Sequence, residues 1–272
     1  LADKYGIYLE DEANLESHEY YYEKESLSHV PEFRDQHVSR NLEMVHATVN
    51  HPSVCIWSLG NEAGPGKNFV DAYNAIKEFD KSRPVQYERN NEIVDMGSNQ
   101  YPSIGLTEYI AQGTDKGIKY PFHISEYAHS MGNAVGNLVD YWNIIESNNF
   151  IMGGAIWDWV DQGIYNPQKL KQGIKQLTTG YDYPGPHQGN FVNNGVITSE
   201  REWTPKLDIV KKVYQYVTFR LNNGKNNKSL IVRNNYAFRD LSDFTLDFEV
   251  LKNGVVVEKG NIELPPLTAA SR

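Results

Sequence analysis

The stretch SVCIWSLGNEAG, residues 53–64, decides the fold. Val54, Cys55, Ile56 and Trp57 form a near-continuous apolar run. Such a run suits a strand buried on both faces rather than one with a wet side. It stops at Gly60-Asn61-Glu62-Ala63-Gly64, where two glycines bracket an amide and a carboxylate in a tight turn. A helical stripe follows, with Phe69, Ala72, Tyr73, Ile76 and Phe79 at spacings of three and four between Asn68 and Phe79. Another apolar run, PVQYE from Pro84, comes next. Strand, helix, strand at this spacing is the unit of a parallel α/β sheet.

The same alternation extends on both sides. Further strand candidates are GIYLEDE from Gly6, IVDMGSNQY from Ile93, FHISEY from Phe122 and GAIWDWV from Gly154. Helical stripes fall at Val38, Leu42, Val45 and Val49, and at Leu138, Tyr141, Trp142 and Ile145. These stripes read as core-facing. Six strands result, and a closed (β/α)8 barrel needs eight. The chain opens on LADKYGIYLEDEAN, the end of a helix running into a strand. The expectation is therefore either a six-stranded open sheet or, favoured by this abrupt start, an α/β barrel of TIM type over residues 1–216 with its first two strands absent.

From residue 217 the period changes. YVTFRL, SLIVRNNY, FTLDFEVLKNGVVVEKG and NIELPPL alternate with period two, and Asn253-Gly254 is a hairpin signal. Residues 217–272 are expected to form part of an immunoglobulin-like β-sandwich, about four strands where about seven complete one.

Composition narrows the function. The net charge is −9, which argues against a phosphate-binding surface and so against nucleic acid. No apolar run reaches the length of a membrane span, and no signal peptide is read at the start, so the compartment stays open. The single cysteine, Cys55, lies in an apolar run and reads as a small core residue. The triplet NKS at Asn227 fits a glycosylation sequon, a pattern too common to carry weight. Aromatic content is 12%, with 18 Tyr and 5 Trp, a supply of flat rings that suits sugars and cores alike.

In parallel α/β folds reactive groups gather at the carboxyl ends of the strands. Here those ends carry Glu12, Asn14, Glu16 and His18; Asn61 and Glu62; Glu88; Tyr101; Glu126 and His129; and Trp157, Asp158 and Trp159. A strand-end glutamate is ordinarily a solvated loop residue. Glu62 and Glu126 differ because each directly ends an apolar strand among polar neighbours. Two carboxylates facing one site push their pKa values apart, which is what acid-assisted glycoside cleavage requires. Glu16 and His18, two apart, fit one face of a metal site, although an ordinary hydrogen-bonded pair has the same spacing.

Five segments, GIYLEDEANLESH, NHPSVCIWSLGNEAG, RPVQYE, SEYAHSMGN and GGAIWDWVDQG, in this order, resemble the bacterial β-galactosidases of glycoside hydrolase family two. The resemblance spans nearly the whole chain and is strongest from Tyr5 to Gly163. It implies a (β/α)8 barrel whose acid/base glutamate follows strand four and whose nucleophile follows strand seven. Glu62 and Glu126 follow the second and fifth strands counted here, an offset of two in both cases. By resemblance Glu62 is the general acid/base, with Asn61 beside it at the sugar 2-hydroxyl. Glu126 is the nucleophile of a retaining reaction, and Tyr101 assists it. His129 and Trp157 match sugar-contacting positions. Glu16, His18 and Glu62 match magnesium ligands, and Phe191 and Asn194, in NFVNNGV, match part of a sodium site.

The resemblance further implies a β-galactoside substrate and a homo-oligomeric parent protein. The two missing strands lead to the expectation that the chain is one segment of a longer enzyme, and leave open whether it is active alone. Other expectations left open are a β-glucuronidase or β-mannosidase of the same family and a non-catalytic carbohydrate-binding fragment. A glucuronidase calls for a basic residue at the uronate carboxylate, and none stands out in these motifs.

Overall fold

A computed structural model describes residues 1–18, 24–223 and 228–269. Asn227 of the sequon lies outside the described residues. The chain divides into two compact units, Leu1–Ile209 and Val210–Arg272.

In the first unit a single helical turn, α1 (Ala2–Tyr5), leads into β1 (Leu9–Glu12), α2 (Arg34–Thr48), β2 (Val54–Ser58), α3 (Lys67–Phe79) and β3 (Val85–Gln86). Then come β4 (Gly97–Gln100), α4 (Ile104–Ala111), β5 (Phe122–Tyr127), α5 (Leu138–Ile145), β6 (Ile151–Ile156) and a further turn, α6 (Pro167–Leu170). The strands lie in the orders β1-β2-β3 and β4-β5-β6, and every pairing is parallel. His123 Nε2 of β5 lies 2.6 Å from Glu10 Oε2 of β1, and Gln86 of β3 donates to Glu10 Oε1 at 2.6 Å. The two sheets therefore face one polar interior, the arrangement of a barrel.

The outer faces of the strands pack on the helices. Trp57, Leu59, Phe69, Ile76, Val85 and Tyr87 are fully buried and form one cluster. Each aliphatic or Phe side chain there contributes about 1.5–3 kcal/mol through removal from water. Phe69 stacks on Tyr87 at 4.1 Å, and the Tyr87 hydroxyl donates to the Gly64 carbonyl at 2.8 Å. Trp57 Nε1 donates to Asp80 Oδ2 at 3.0 Å, so its polar edge is satisfied in the core.

Several expectations change in detail. On α2 the stripe Val38, Leu42, Val45 and Val49 buries only Val45 completely; its deepest neighbours are His37 and Asn41. His37 Nδ1 sits 2.7 Å from the Phe33 carbonyl, and Asn41 Nδ2 donates to the His37 and Leu59 carbonyls, so both are tolerated inside. Phe79 is 53% exposed, with its ring edge against His46. β4 begins at Gly97 rather than Ile93, because the Asp95 carboxylate takes the backbone N–H of Val85 and caps that edge. β6 begins at Ile151 and stops before Trp157. Helix α4 has no strong apolar stripe; it starts where Ser103 Oγ accepts from Leu106 N. Past β6, Val160 bridges Ile197 in parallel, and Val196 N donates to the Asp158 carbonyl, so residues 194–197 run alongside the segment that follows β6.

The second unit starts within α7 (Pro205–Val213). β7 (Val217–Asn223) pairs antiparallel with β8 (Lys228–Asn234), and β9 (Thr245–Lys252) with β10 (Val255–Glu263). Asn253 and Gly254 both have positive φ, 52° and 80°, as a tight hairpin demands. Residues 261–263, expected to open a separate strand, continue β10 opposite β9.

Candidate active site

The β1–β2 ladder continues past both strands and brings the first site residues together. Glu16 bridges Asn61 in parallel register, and Asn61 N donates to the Leu15 carbonyl at 2.9 Å. Gly60 makes this approach possible. Its φ is 146°, and a Cβ there would meet both Leu15 Cβ and the Leu15 carbonyl at 2.8 Å. Two residues later Glu62 has φ 42°, a sparsely populated conformation for a side-chain-bearing residue. The turn thus directs Asn61 and Glu62 to the barrel mouth.

Glu62 is held from several sides. His18 Nδ1 lies 2.7 Å from its Oε2, and Arg89 Nη2 lies 3.3 Å from its Oε1. Its backbone N–H donates to Glu88 Oε1 at 3.0 Å. Glu88 is buried beneath it, and burial pushes that carboxyl up to about 7. Asn61 Nδ2 donates to Glu16 Oε2 at 2.8 Å. The Glu16 carboxyl is also raised, first by burial and further by the charge of Glu62.

Glu126 lies near the end of β5, opposite Gln100 of β4. Tyr101 grips it twice: its N–H donates to the Glu126 carbonyl at 2.8 Å and its hydroxyl to Oε2 at 2.8 Å. Burial raises the Glu126 carboxyl above its ordinary value, hydrogen bonds from Tyr101 and Gln100 pull it back, and the Glu62 charge pushes it up. The Tyr101 hydroxyl is pushed strongly up by burial and by the Glu126 charge, so it stays a donor. Tyr101 and Ala128 share the positive φ of Glu62, at 49° and 50°. Strained backbone thus occurs after β2, β4 and β5, at the strand ends that carry Glu62, Tyr101 and Glu126.

A cleft of about 470 Å³ opens between these groups. Glu16, His18, Asn61, Glu62, Tyr101, Glu126, His129, Trp157 and Phe191 all line it. The His129 ring lies 6.0 Å from Tyr101 and 5.4 Å from Phe191, giving one aromatic wall. Ser130 N donates to the Trp157 carbonyl at 2.7 Å, which ties Trp157 to the loop after β5. Asn194 lies outside the lining, fully buried; its Nδ2 donates to the Phe191 carbonyl. Asn194 Oδ1 is buried with no hydrogen-bond partner among the described residues.

Glu12, Asn14, Glu88, Asp158 and Trp159 end strands as read from the sequence but do not line the cleft. Glu12 accepts from Ser58 Oγ, and Trp159 is 53% exposed. Conversely, Ser17, Gln100 and Gln188 line the cleft without having been singled out. Gln100 carried a usable signal, since it immediately precedes Tyr101 on a strand beside β5. Gln188 comes from a loop distant in sequence and carried none.

Ligand atoms of Glu16, His18 and Glu62 lie within 4.8 Å of one another, the sole metal-competent cluster of at least three such groups among the described residues. Two carboxylates and an imidazole are a donor set for a hard divalent cation completed by water.

The family model for the TIM barrel domain of glycosyl hydrolases family 2 matches residues 1–219. The chain belongs to glycosyl hydrolase family 2. A model for domain 4 of β-galactosidase matches residues 230–272. A β-galactosidase of Priestia megaterium is 36% identical over 95% of this chain and 26% of its own length. One from Photobacterium profundum is 36% identical over 97% of the chain and 27% of its own. The chain thus spans about a quarter of the length of these relatives. Among solved structures, a GH2 β-galacturonidase from Eisenbergiella tayi aligns with a TM-score of 0.55 at 19% identity, over 78% of this chain and 41% of that one. A β-glucuronidase from Bacteroides uniformis aligns at 0.52 and 13% identity, over 98% of this chain and 36% of that one. These two likenesses concern the fold.

Proposed function

We propose that the chain is the catalytic segment of a retaining β-galactosidase that cleaves terminal, non-reducing β-D-galactose. The observation that carries this reading is the pairing of Glu126, held by Tyr101, with Glu62 in one aromatic-walled cleft. The β-galactosidases among its relatives supply the sugar.

In the first step Glu126 Oε attacks the anomeric carbon. A C–O bond forms to the enzyme, the glycosidic C–O bond breaks, and the departing oxygen takes the Glu62 proton. In the second step Glu62 takes a proton from water, whose oxygen displaces the Glu126 carboxylate and releases the sugar. Tyr101 steers the Glu126 lone pair and stabilises its ionised form. Asn61, tied to Glu16, is placed at the sugar 2-hydroxyl. His129 and Trp157 contact the ring, with Phe191 extending the wall.

Glu16, His18 and Glu62 fit Mg²⁺, which supplies positive charge at the acidic cluster and relieves the repulsion of two neighbouring carboxylates. Asn194 Oδ1, without a hydrogen-bond partner among the described residues, and the Phe191 carbonyl, which accepts from Asn194 Nδ2, fit part of a Na⁺ site.

The test is hydrolysis of nitrophenyl β-galactoside by the full-length natural protein and its Glu126→Gln variant. Turnover that disappears in the variant supports the reading. Preference for the β-glucuronide or β-mannoside, or sugar binding without turnover, overturns it.

A further inference from the structure

We propose that Arg89 is a positioning residue that sets the acid/base carboxyl and its partner amide as one unit. The proposal rests on the reading of Glu62 as acid/base. Arg89 follows β3 and leaves only 24% of its side chain exposed. Its Nη2 is 3.3 Å from Glu62 Oε1 and donates to Gln100 Oε1 at 2.7 Å. Its Nε faces Glu88 Oε1 at 3.3 Å, the same oxygen that accepts the Glu62 backbone N–H at 3.0 Å. Arg89 and Glu88 together therefore fix both the main chain and the carboxyl of Glu62. His18 stands on the opposite oxygen, Oε2, at 2.7 Å.

The linkage continues outward. Gln100 Nε2 donates to Asn61 Oδ1 at 3.4 Å, and Asn61 Nδ2 donates to Glu16 Oε2 at 2.8 Å. One guanidinium thus connects the groups assigned to leaving-group protonation and to the sugar 2-hydroxyl. Arg89 does not line the cleft, so it acts through these residues and not on substrate. A planar fork can address Glu62, Gln100 and Glu88 simultaneously, whereas a lysine offers a single flexible point charge. A misaimed acid matters only when the leaving group needs a proton. General acid catalysis is worth about 10²–10⁴-fold in all, so loss of its aim should cost about ten- to hundredfold.

The experiment compares kcat/KM of the full-length protein on a dinitrophenyl β-galactoside, whose phenolate departs unprotonated, and on a methyl β-galactoside. Arg89→Ala should lose about ten- to hundredfold on the methyl substrate and little on the dinitrophenyl one. Added guanidinium should restore part of the methyl rate. Arg89→Lys, which keeps the charge and guards against a folding failure in the alanine variant, should fall between Arg89→Ala and wild type with the same substrate asymmetry. Equal losses on both substrates overturn the proposal, as does an Arg89→Lys enzyme indistinguishable from wild type on both. Glu62→Ala reports separately on the underlying reading. If it lacks the asymmetry, or wild type does not cleave galactosides, the assignment of Glu62 fails and not only the role of Arg89.

Discussion

Tyr101→Phe removes one hydrogen bond and leaves the backbone that positions it. The Tyr101 hydroxyl donates to Glu126 Oε2 at 2.8 Å, while the Tyr101 N–H to Glu126 carbonyl bond, also 2.8 Å, survives the substitution. A hydrogen bond to a charged group is worth about 1.5–3 kcal/mol. Tyr101 is 41% exposed, so the lower end applies. At 1.36 kcal/mol per pKa unit, ~1.5 kcal/mol corresponds to about one unit. The sign follows from the state the bond favours. Burial already raises the Glu126 carboxyl, and the Tyr101 bond opposes burial by favouring the carboxylate. Without it the pKa rises further. Only ionised Glu126 can attack, so the acid limb of kcat/KM against pH should move up by about one unit. The assay is that profile on nitrophenyl β-galactoside for both proteins. An acid limb that stays in place, or moves to lower pH, refutes the role given to Tyr101.

Other expectations follow from the same geometry. Glu16→Gln removes a charged ligand from the Glu16–His18–Glu62 cluster and should raise the Mg²⁺ concentration for half-maximal activity by about tenfold or more, read by titrating metal into chelator-treated enzyme; an unchanged requirement counts against that site. At Asp80 burial pushes the carboxyl up, but hydrogen bonds from Ser82, Arg83 and Trp57 outweigh it and hold the value low. Its stabilisation is therefore present above the ordinary aspartate pKa and lost as pH falls through the folded value. Asp80→Asn should lower stability near pH 7 by about 3 kcal/mol and flatten the loss below pH 4, measured by urea unfolding across pH. Gly60→Ala places a methyl 2.8 Å from Leu15 at a φ of 146° and should cost about 3 kcal/mol or abolish soluble expression, whereas a thermal midpoint within a few degrees of wild type contradicts the turn geometry.

The residues most legible in the sequence are those where local and global demands coincide. Val54, Ile56 and Trp57 are apolar because they are buried, whereas Cys55, expected in the core, is only partly covered; Gly60 is glycine because Leu15 crosses it, so strand and turn announce Glu62 from either direction. Glu126 is legible for a similar reason at the end of FHISEY. Where a tertiary contact overrides the pattern, reading fails. His37 and Asn41 occupy the inner face of α2 because carbonyls of Phe33 and Leu59 await them, which no periodicity reveals. Val85–Gln86 is short because the following residues leave the ladder to pack Tyr87 and to accept the Glu62 N–H on Glu88. Arg89 escaped notice because an arginine in a polar loop has no signature until Glu62, Gln100 and Glu88 are brought around it.

The central claim is that Glu126 becomes covalently attached to the sugar. The direct measurement is mass spectrometry of the full-length protein after incubation with a dinitrophenyl 2-deoxy-2-fluoro-β-galactoside, which slows breakdown of a glycosyl-enzyme more than its formation. One fluorosugar per site, mapped to the peptide carrying Glu126 and absent in Glu126→Gln, is the predicted result. Steady release of fluorosugar with no adduct, or an adduct on Glu62, would contradict the account.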